Sequence, residues 1–424
     1  MAEAAVLNVE EVIPEDTSIE SQQSFPFNPI AGTQFNNAGI IQINIENQAE
    51  YFLPSQSWLQ IDGQLKKEDN QVYPNNSNVA LINNAPMYCF SNIKYHLGGN
   101  EIESVNEPGH ATTMMGLLKY ERNSPGLSKC WTIDTSTAAL DTNTGWKKRK
   151  DFMMNCDPRG SFSFAVSLQH IFGFAEDYDR VVFGLRHSLQ LNRKASSNDA
   201  IFKAANVDAG LVDIKNVTWW MPRVLPSPVE NFRLIKLLEK ETTLEVKFRG
   251  RQCSTVTVPL ATSLYTWNLG VKSERPRFII VGLQSGKGDN QTQNPALFDH
   301  CRVSRMKILL NSVEYPAIDY STDFQKNNYA GYYKSMNEFK HSFYGVEKMV
   351  SDCSIDADDF KNLFPLFVFN VSRQMDKLKA SIVDVSIRME FDVAVVANTN
   401  AYALVVSDKK LKFKSGGNRM NVVF

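Results

Sequence analysis

The 424-residue chain sets 45 Lys and Arg against 46 Asp and Glu, for a formal net charge of −1, and is 43% hydrophobic and 21% charged. That balance excludes the global basic field with which a protein coats nucleic acid or an anionic membrane, so neither sequence-specific nucleic-acid binding nor membrane contact is indicated. No apolar run reaches the ~18 residues of a membrane-spanning helix. The acidic start (Glu3, Glu10, Glu11, Glu15, Asp16) lacks the basic-then-apolar order of an export signal, so the chain is expected to be made inside the cell and not secreted.

Residues 1–25 read as an acidic N-terminal arm. Strand patterns follow, with Ile41, Ile43 and Ile45, then Leu59, Ile61 and Leu65, alternating with polar residues as one buried sheet face requires. Loops rich in Asn and Pro (Tyr73 to Asn78, Asn83 to Pro86) separate the strands. Helical spacing follows Pro108 (Ala111, Met114, Met115, Leu118) and recurs at Tyr329, Tyr332, Tyr333 and Met336, with Asp323 as its expected cap. Residues 121–150 have few strand signals and read as a long surface loop. Its Trp131 and Trp146 are expected to be exposed and to contact a neighbouring subunit. The prolines of Met221 to Pro228 punctuate the midpoint and place the domain boundary at 225/226. A basic tail carrying Lys409, Lys410, Lys412 and Lys414 closes the chain; it is a candidate electrostatic contact, against the plainer reading of a solvated last strand.

The two halves echo one another. Ser91, Ile93, Lys94, Leu97, Glu101 and Ile102 match Ser304, Met306, Lys307, Leu310, Glu314 and Tyr315. Phe162, Phe164 and Val166 match Phe367, Phe369 and Val371, and the alternation through Leu189 and Leu191 matches Met389 and Phe391. The echoes keep their order at separations of roughly 200–213 positions, far longer than a solenoid period of ~20–50 residues. They predict a duplicated all-β domain. Two tandem eight-stranded jelly-roll sandwiches with short helices in loops suit the size: residues 26–225, with the 121–150 loop inserted, and residues 226–424.

Catalytic and metal chemistry have no foothold in the spacings. Gly282 to Gly288 imitates a phosphate loop but is one residue short and lacks the hydroxyl that holds magnesium. The six histidines show no ligand spacing, and His300 beside Cys301 would point to opposite faces of a strand. Asp356, Asp358 and Asp359 lack the glycine and glutamate of a calcium loop and read as a capped helical turn through Phe360. The six cysteines have no C-x-x-C pair and read as reduced structural thiols. No enzyme, cofactor or metal site is expected.

Further stretches carry a family resemblance: Glu274 to Val281, Asn294 to Cys301, Leu309 to Ser312, Ser342 to Gly345, Asn398 to Tyr402, Asp179 to Ser188 and Val217 to Pro222. Their order and spacing resemble the major capsid proteins of Polinton/Maverick elements and adintovirus-like viruses. The resemblance implies a double jelly roll, a homotrimeric pseudo-hexagonal capsomer in an icosahedral virion, and a penton or minor capsid protein as further partner. The alternative is a tandem β-sandwich that recognises carbohydrate or protein outside any virion. That reading needs an exposed aromatic platform, for which Trp219, Trp220 and Trp267 are candidates, although their apolar settings favour the core.

Overall fold

The computed structural model describes residues 17–36, 38–122, 126–240, 243–318, 320–346, 354–373, 382–416 and 419–424. In the first half the strands are β1 (Ile19–Phe27), β2 (Ile40–Ile45), β3 (Tyr51–Phe52), β4 (Trp58–Lys67), β5 (Val79–Leu81), β6 (Phe90–Leu97), β7 (Asn100–Asn106), β8 (Ser161–Ser167), β9 (His187–Arg193), β10 (Ile201–Lys203) and β11 (Gly210–Pro226). The second half holds β12 (Thr243–Val258), β13 (Leu264–Glu274), β14 (Pro276–Ser285), β15 (Val303–Leu310), β16 (Val313–Tyr315), β17 (Phe367–Asn370), β18 (Ile382–Phe391), β19 (Thr399–Gly416) and β20 (Arg419–Val423).

Each half is a sandwich of two antiparallel sheets, and the strand orders coincide. The first roll is built from β1-β11-β4-β8 facing β2-β9-β6-β7, the second from β12-β19-β14-β17 facing β13-β18-β15-β16. Substituting each strand by its counterpart converts one order into the other, so the chain is two tandem jelly rolls. The echoed residues occupy equivalent places: Ile93 and Met306 in β6 and β15, Leu189 and Met389 in β9 and β18, all at most 1% exposed. Even a cross-strand ion pair repeats. Lys94 meets Glu101 at 2.9 Å across β6/β7, and Lys307 meets Glu314 at 2.6 Å across β15/β16.

Short helices lie in the connections: α1 (Ala85–Tyr88), α2 (Pro108–Lys119), α3 (Thr144–Met154), α4 (Leu168–Ile171), α5 (Gly173–Asp177), α6 (Pro228–Glu239), α7 (Ala330–Asn337), α8 (Phe339–Tyr344) and α9 (Ala357–Asn362). In both rolls a helix follows the strand hairpin, α2 after β6/β7 and α7 after β15/β16. Pro108 starts α2, where a missing amide costs nothing, and Asp356 caps α9 by accepting from the Asp359 amide at 2.8 Å.

Several expectations change. Part of the supposed N-terminal arm is β1, paired with β11 from Ile19↔Pro226 to Phe27↔Trp219; residues 1–16 lie outside the described residues. The Met221 to Pro226 prolines continue β11 rather than interrupt it, with Pro222 opposite Ser24, and sheet membership changes across α6. Asp323 caps a turn, accepting from the amides of Gln325 and Lys326, while α7 begins after Tyr329. Residues 121–150 are not one loop, because α3 starts at Thr144 with the Asn143 side chain accepting from the Trp146 amide.

Candidate functional site

The 121–150 segment is folded into its own roll. Trp131 and Trp146 are 1% and 0% exposed, which removes the premise that they are free to meet a neighbour. The Trp131 ring covers Gly116 of α2 so closely that an added Cβ would lie 2.1 Å from its Cη2. Trp146 donates Nε1–H to the Phe202 carbonyl at 3.2 Å. Between them Arg149 is 2% exposed and ion-paired with fully buried Asp134 at 2.7 Å, and its Nε donates to the Leu81 carbonyl at 2.8 Å. A loop dense in Thr, Ser and Lys hides these anchors, since composition does not show which side chains turn inward.

The lysines expected on a C-terminal tail stand in β19. Lys410, Lys412 and Lys414 are exposed and sit opposite Lys247, Glu245 and Thr243 of β12, alternating with buried Leu411 and Phe413. Lys409 is half-buried. This is a strand face, held on its other side by β20 through Lys412↔Val423 and Lys414↔Asn421.

The most elaborate polar chemistry lies between the rolls. The free edge of β12 runs against β7 and α5 of the first roll. Alternate amides on that edge would be orphaned donors, and carboxylates from the other roll accept them. Arg251 N–H donates to Glu103 Oε1 at 2.7 Å and Arg249 N–H to Asp177 Oδ2 at 2.7 Å. Glu103 also accepts from the amides of Gly173 (3.1 Å) and Phe174 (2.9 Å) that open α5. Gly173 is required there, because a Cβ would stand 1.8 Å from the Arg249 carbonyl oxygen.

Side chains continue the seam. Arg251 pairs with Glu176, which also binds Lys119 and accepts from the Tyr344 hydroxyl at 3.0 Å. Arg249 lies 3.8 Å above the Phe343 ring and pairs with Asp177. Arg122 binds Asp359 across the same junction. The His110 ring stacks on Tyr402 at 3.7 Å, with Nε2 3.2 Å from Gln284 Oε1. Burial opposes ionisation of Glu176, but Arg251 and Lys119 outweigh it and bring the carboxyl down to about 2. Glu103 shifts the other way: burial raises it, with Lys409 and its amide donors only partly compensating. Burial also lowers His170, helped by Arg251, and His187 to about 3 each, so both rings are neutral.

Among the described residues no group of three or more His, Cys, Asp or Glu could hold a metal ion. Lys287, in the stretch that imitates a phosphate loop, is tied to Asp299 at 2.8 Å and to the Leu297 carbonyl at 3.1 Å. His300 stacks on Phe324, and its Nδ1 accepts from the Arg302 amide. Trp219 and Trp267 are buried, whereas Trp220 is half-buried and stacks on half-buried Trp58 at 5.4 Å.

A double jelly roll-like domain model matches residues 79–411. The chain belongs to the double jelly roll-like family. A quasi-atomic model of the PBCV-1 virus capsid is similar over 98% of this chain and 99% of that one, with a TM-score of 0.62 at 8% identity. A structure of the Sputnik virophage is similar over 99% of this chain and 91% of that one, with a TM-score of 0.59 at 10% identity. The mavirus major capsid protein is similar over 98% and 92%, with a TM-score of 0.55 at 11% identity. No curated protein sequence matches. At such identities the likeness speaks for the fold, end to end.

Proposed function

We propose that this chain is the major capsid protein of an icosahedral virus, working as a homotrimer whose six jelly rolls make a pseudo-hexagonal capsomer. The observation that carries the reading is the duplication at the level of strand order, joined by a seam too densely bonded to act as a hinge. A shell tile needs near-equivalent contacts around a ring, and three chains with two like wedges each supply six. A binding module has no need of two rolls locked in fixed orientation. The solved capsid proteins with the same end-to-end architecture support this choice, and the quoted sequence stretches support placement with Polinton/Maverick and adintovirus-like elements. Within that reading the domains divide across α6, the protein resides in the virion, and a penton or minor capsid protein fills the remaining vertices. Exposed Lys410, Lys412 and Lys414 form a candidate contact for an acidic partner surface.

Sedimentation of the purified full-length protein, with negative-stain microscopy of concentrated samples, tests the reading. Trimers with hexagonal outline are expected. A monomer at micromolar concentration refutes it and favours the binding module, for which the stacked Trp58 and Trp220 are the surface to probe.

A further inference from the structure

Where α6 joins the two rolls, the apolar core is divided. Tyr51, Leu53 and Val224 form a small cluster apart from the main core, with Phe183 and Leu234 packed against it. Val182, Phe413 and Met420 belong to the main core. Between the two clusters lies a cavity of about 110 Å³, walled by Val182 and Phe183 of the first roll, Leu234 and Leu237 of α6, and Leu244 and Phe413 of the second roll. Phe183, Leu234 and Leu237 are half-buried and Leu244 is 38% exposed, so these walls keep apolar surface uncovered. A space lined by apolar side chains stays dry, and one of ~150 Å³ is large enough to take up benzene.

The walls specify the chemistry of an occupant. Among the described residues the lining has no charged side chain. Its Tyr51 hydroxyl already donates to Asn231 Oδ1 at 3.0 Å, and the Tyr51 ring is stacked on Phe183 at 4.4 Å. A peptide segment would bring amides and carbonyls that need partners, to which this aliphatic and aromatic lining is unsuited. An unbranched hydrocarbon chain makes no such demand, bends to a narrow space, and gains from each methylene taken out of water. Its polar end would remain in water. Exposed Arg233, which pairs with Glu230 at 2.7 Å, and exposed Lys240 stand four residues before and three after Leu237, on its side of the helix, and favour an anionic head.

We propose that this cavity is a binding site for one saturated acyl chain, that of a fatty acid or a phospholipid. The site gives the joint between the rolls a ligand that the capsid reading does not supply, and it stands independently of that reading. A chain seated there touches both rolls and the helix that links them. It therefore binds the docked arrangement and stabilises it by mass action.

The test titrates dodecanoate, below its micelle concentration, into the full-length protein by calorimetry and follows the melting midpoint. One site per chain and a raised midpoint are expected. Leu237→Trp and, separately, Leu244→Trp fill the cavity and should weaken binding at least ~10-fold while keeping the parent's circular dichroism. Val229→Trp, at a site 76% exposed on α6, is the control and should bind as the parent does. Flotation with phosphatidylglycerol vesicles separates the sources. Protein that floats, and ceases to float as Leu237→Trp, takes its chain from a bilayer; dodecanoate binding without flotation assigns a free fatty acid, and either result supports the site. No saturable binding by the parent, several weak sites per chain, or equal binding by both cavity-filling variants overturns the proposal. A structure of the parent with dodecanoate needs no variant: density for the chain beside Phe183 is expected, and density elsewhere, or a neighbouring molecule's side chain in the cavity, overturns the assignment.

Discussion

Replacing Glu103 tests whether the seam is a structural joint. Its carboxylate is 1% exposed and accepts three amide hydrogen bonds, from Gly173, Phe174 and Arg251, at 2.7–3.1 Å. Glu103→Ala leaves three buried donors unpaired at ~1–3 kcal/mol each, offset by no longer burying a charge, for a net loss of ~2–5 kcal/mol. Glu103→Gln is milder. An amide oxygen at the Oε1 position keeps Gly173 and Arg251, while its NH₂ faces the Phe174 amide, costing ~1–3 kcal/mol. Urea titrations of the full chain would measure both. Five of the six tryptophans (Trp58, Trp131, Trp146, Trp219, Trp220) are in the first roll, so fluorescence reports mainly that roll while circular dichroism reports both. A weakened seam should separate the two transitions, which coincide when the rolls unfold together. The raised Glu103 pKa adds a sign: its favourable contribution is full below the unfolded value of 4.5 and is lost as pH rises through the folded value. Gln imitates the protonated acid, so the cost of Glu103→Gln should shrink from pH 4 towards neutrality. A change below ~0.5 kcal/mol for Glu103→Ala, within the usual range of surface substitutions, would refute the reasoning.

Gly173→Ala should push the rolls apart, since its Cβ would lie 1.8 Å from backbone, and should cost ~1–3 kcal/mol or more in melting experiments. His170 and His187 have folded pKa values of about 3 against 6.5, so their stabilising contribution is present above 6.5 and lost as pH falls towards 3. His187→Leu should therefore flatten the acid limb of a stability–pH curve by on the order of 1 kcal/mol per pH unit. Leu189→Ala and Phe391→Ala, at sites 0% and 5% exposed, should each cost ~2–5 kcal/mol by denaturant titration. Deleting 125–145 should unfold the first roll rather than release intact monomers, because it removes Trp131 and leaves Arg149 without Asp134; a soluble, cooperatively melting deletion would contradict that.

What was legible in the sequence was periodic. Alternation exposed the strands, and repetition of Lys94/Glu101 as Lys307/Glu314 exposed the duplication, because a cross-strand pair keeps its spacing when a hairpin is copied. The size of each half suggested the jelly roll and the family resemblance agreed with it, but alternation alone does not specify strand order. The seam was invisible for a physical reason. Glu103 and Arg251 are 148 positions apart, belong to strands with ordinary polar alternation, and look like surface residues until another roll covers them. Residues 121–150 failed in the same way: Asp134 and Arg149 make a buried pin from two residue types that read as solvent-facing. The Pro222 region misled because proline lacks a donor, yet Pro222 falls between the β4 pairing that ends at Trp220 and the β3 pairing that starts at Arg223, where a ladder donor is not required.

The two rolls have equivalent strand edges, and the side chains on those edges differ. Here one edge has gained Glu103 and Asp177 to accept the β12 amides, with Glu176, Lys119 and Tyr344 around Arg251, and is committed within the chain. The equivalent edge has Pro316 at the position matched to Glu103, so it places no carboxylate there. A β12 edge docked there would leave the Arg251 amide without the Glu103 carboxylate, a loss of ~1–3 kcal/mol for a buried donor left unpaired. That penalty favours the docking of β12 within its own chain, where Glu103 and Asp177 together supply the acceptors its edge requires.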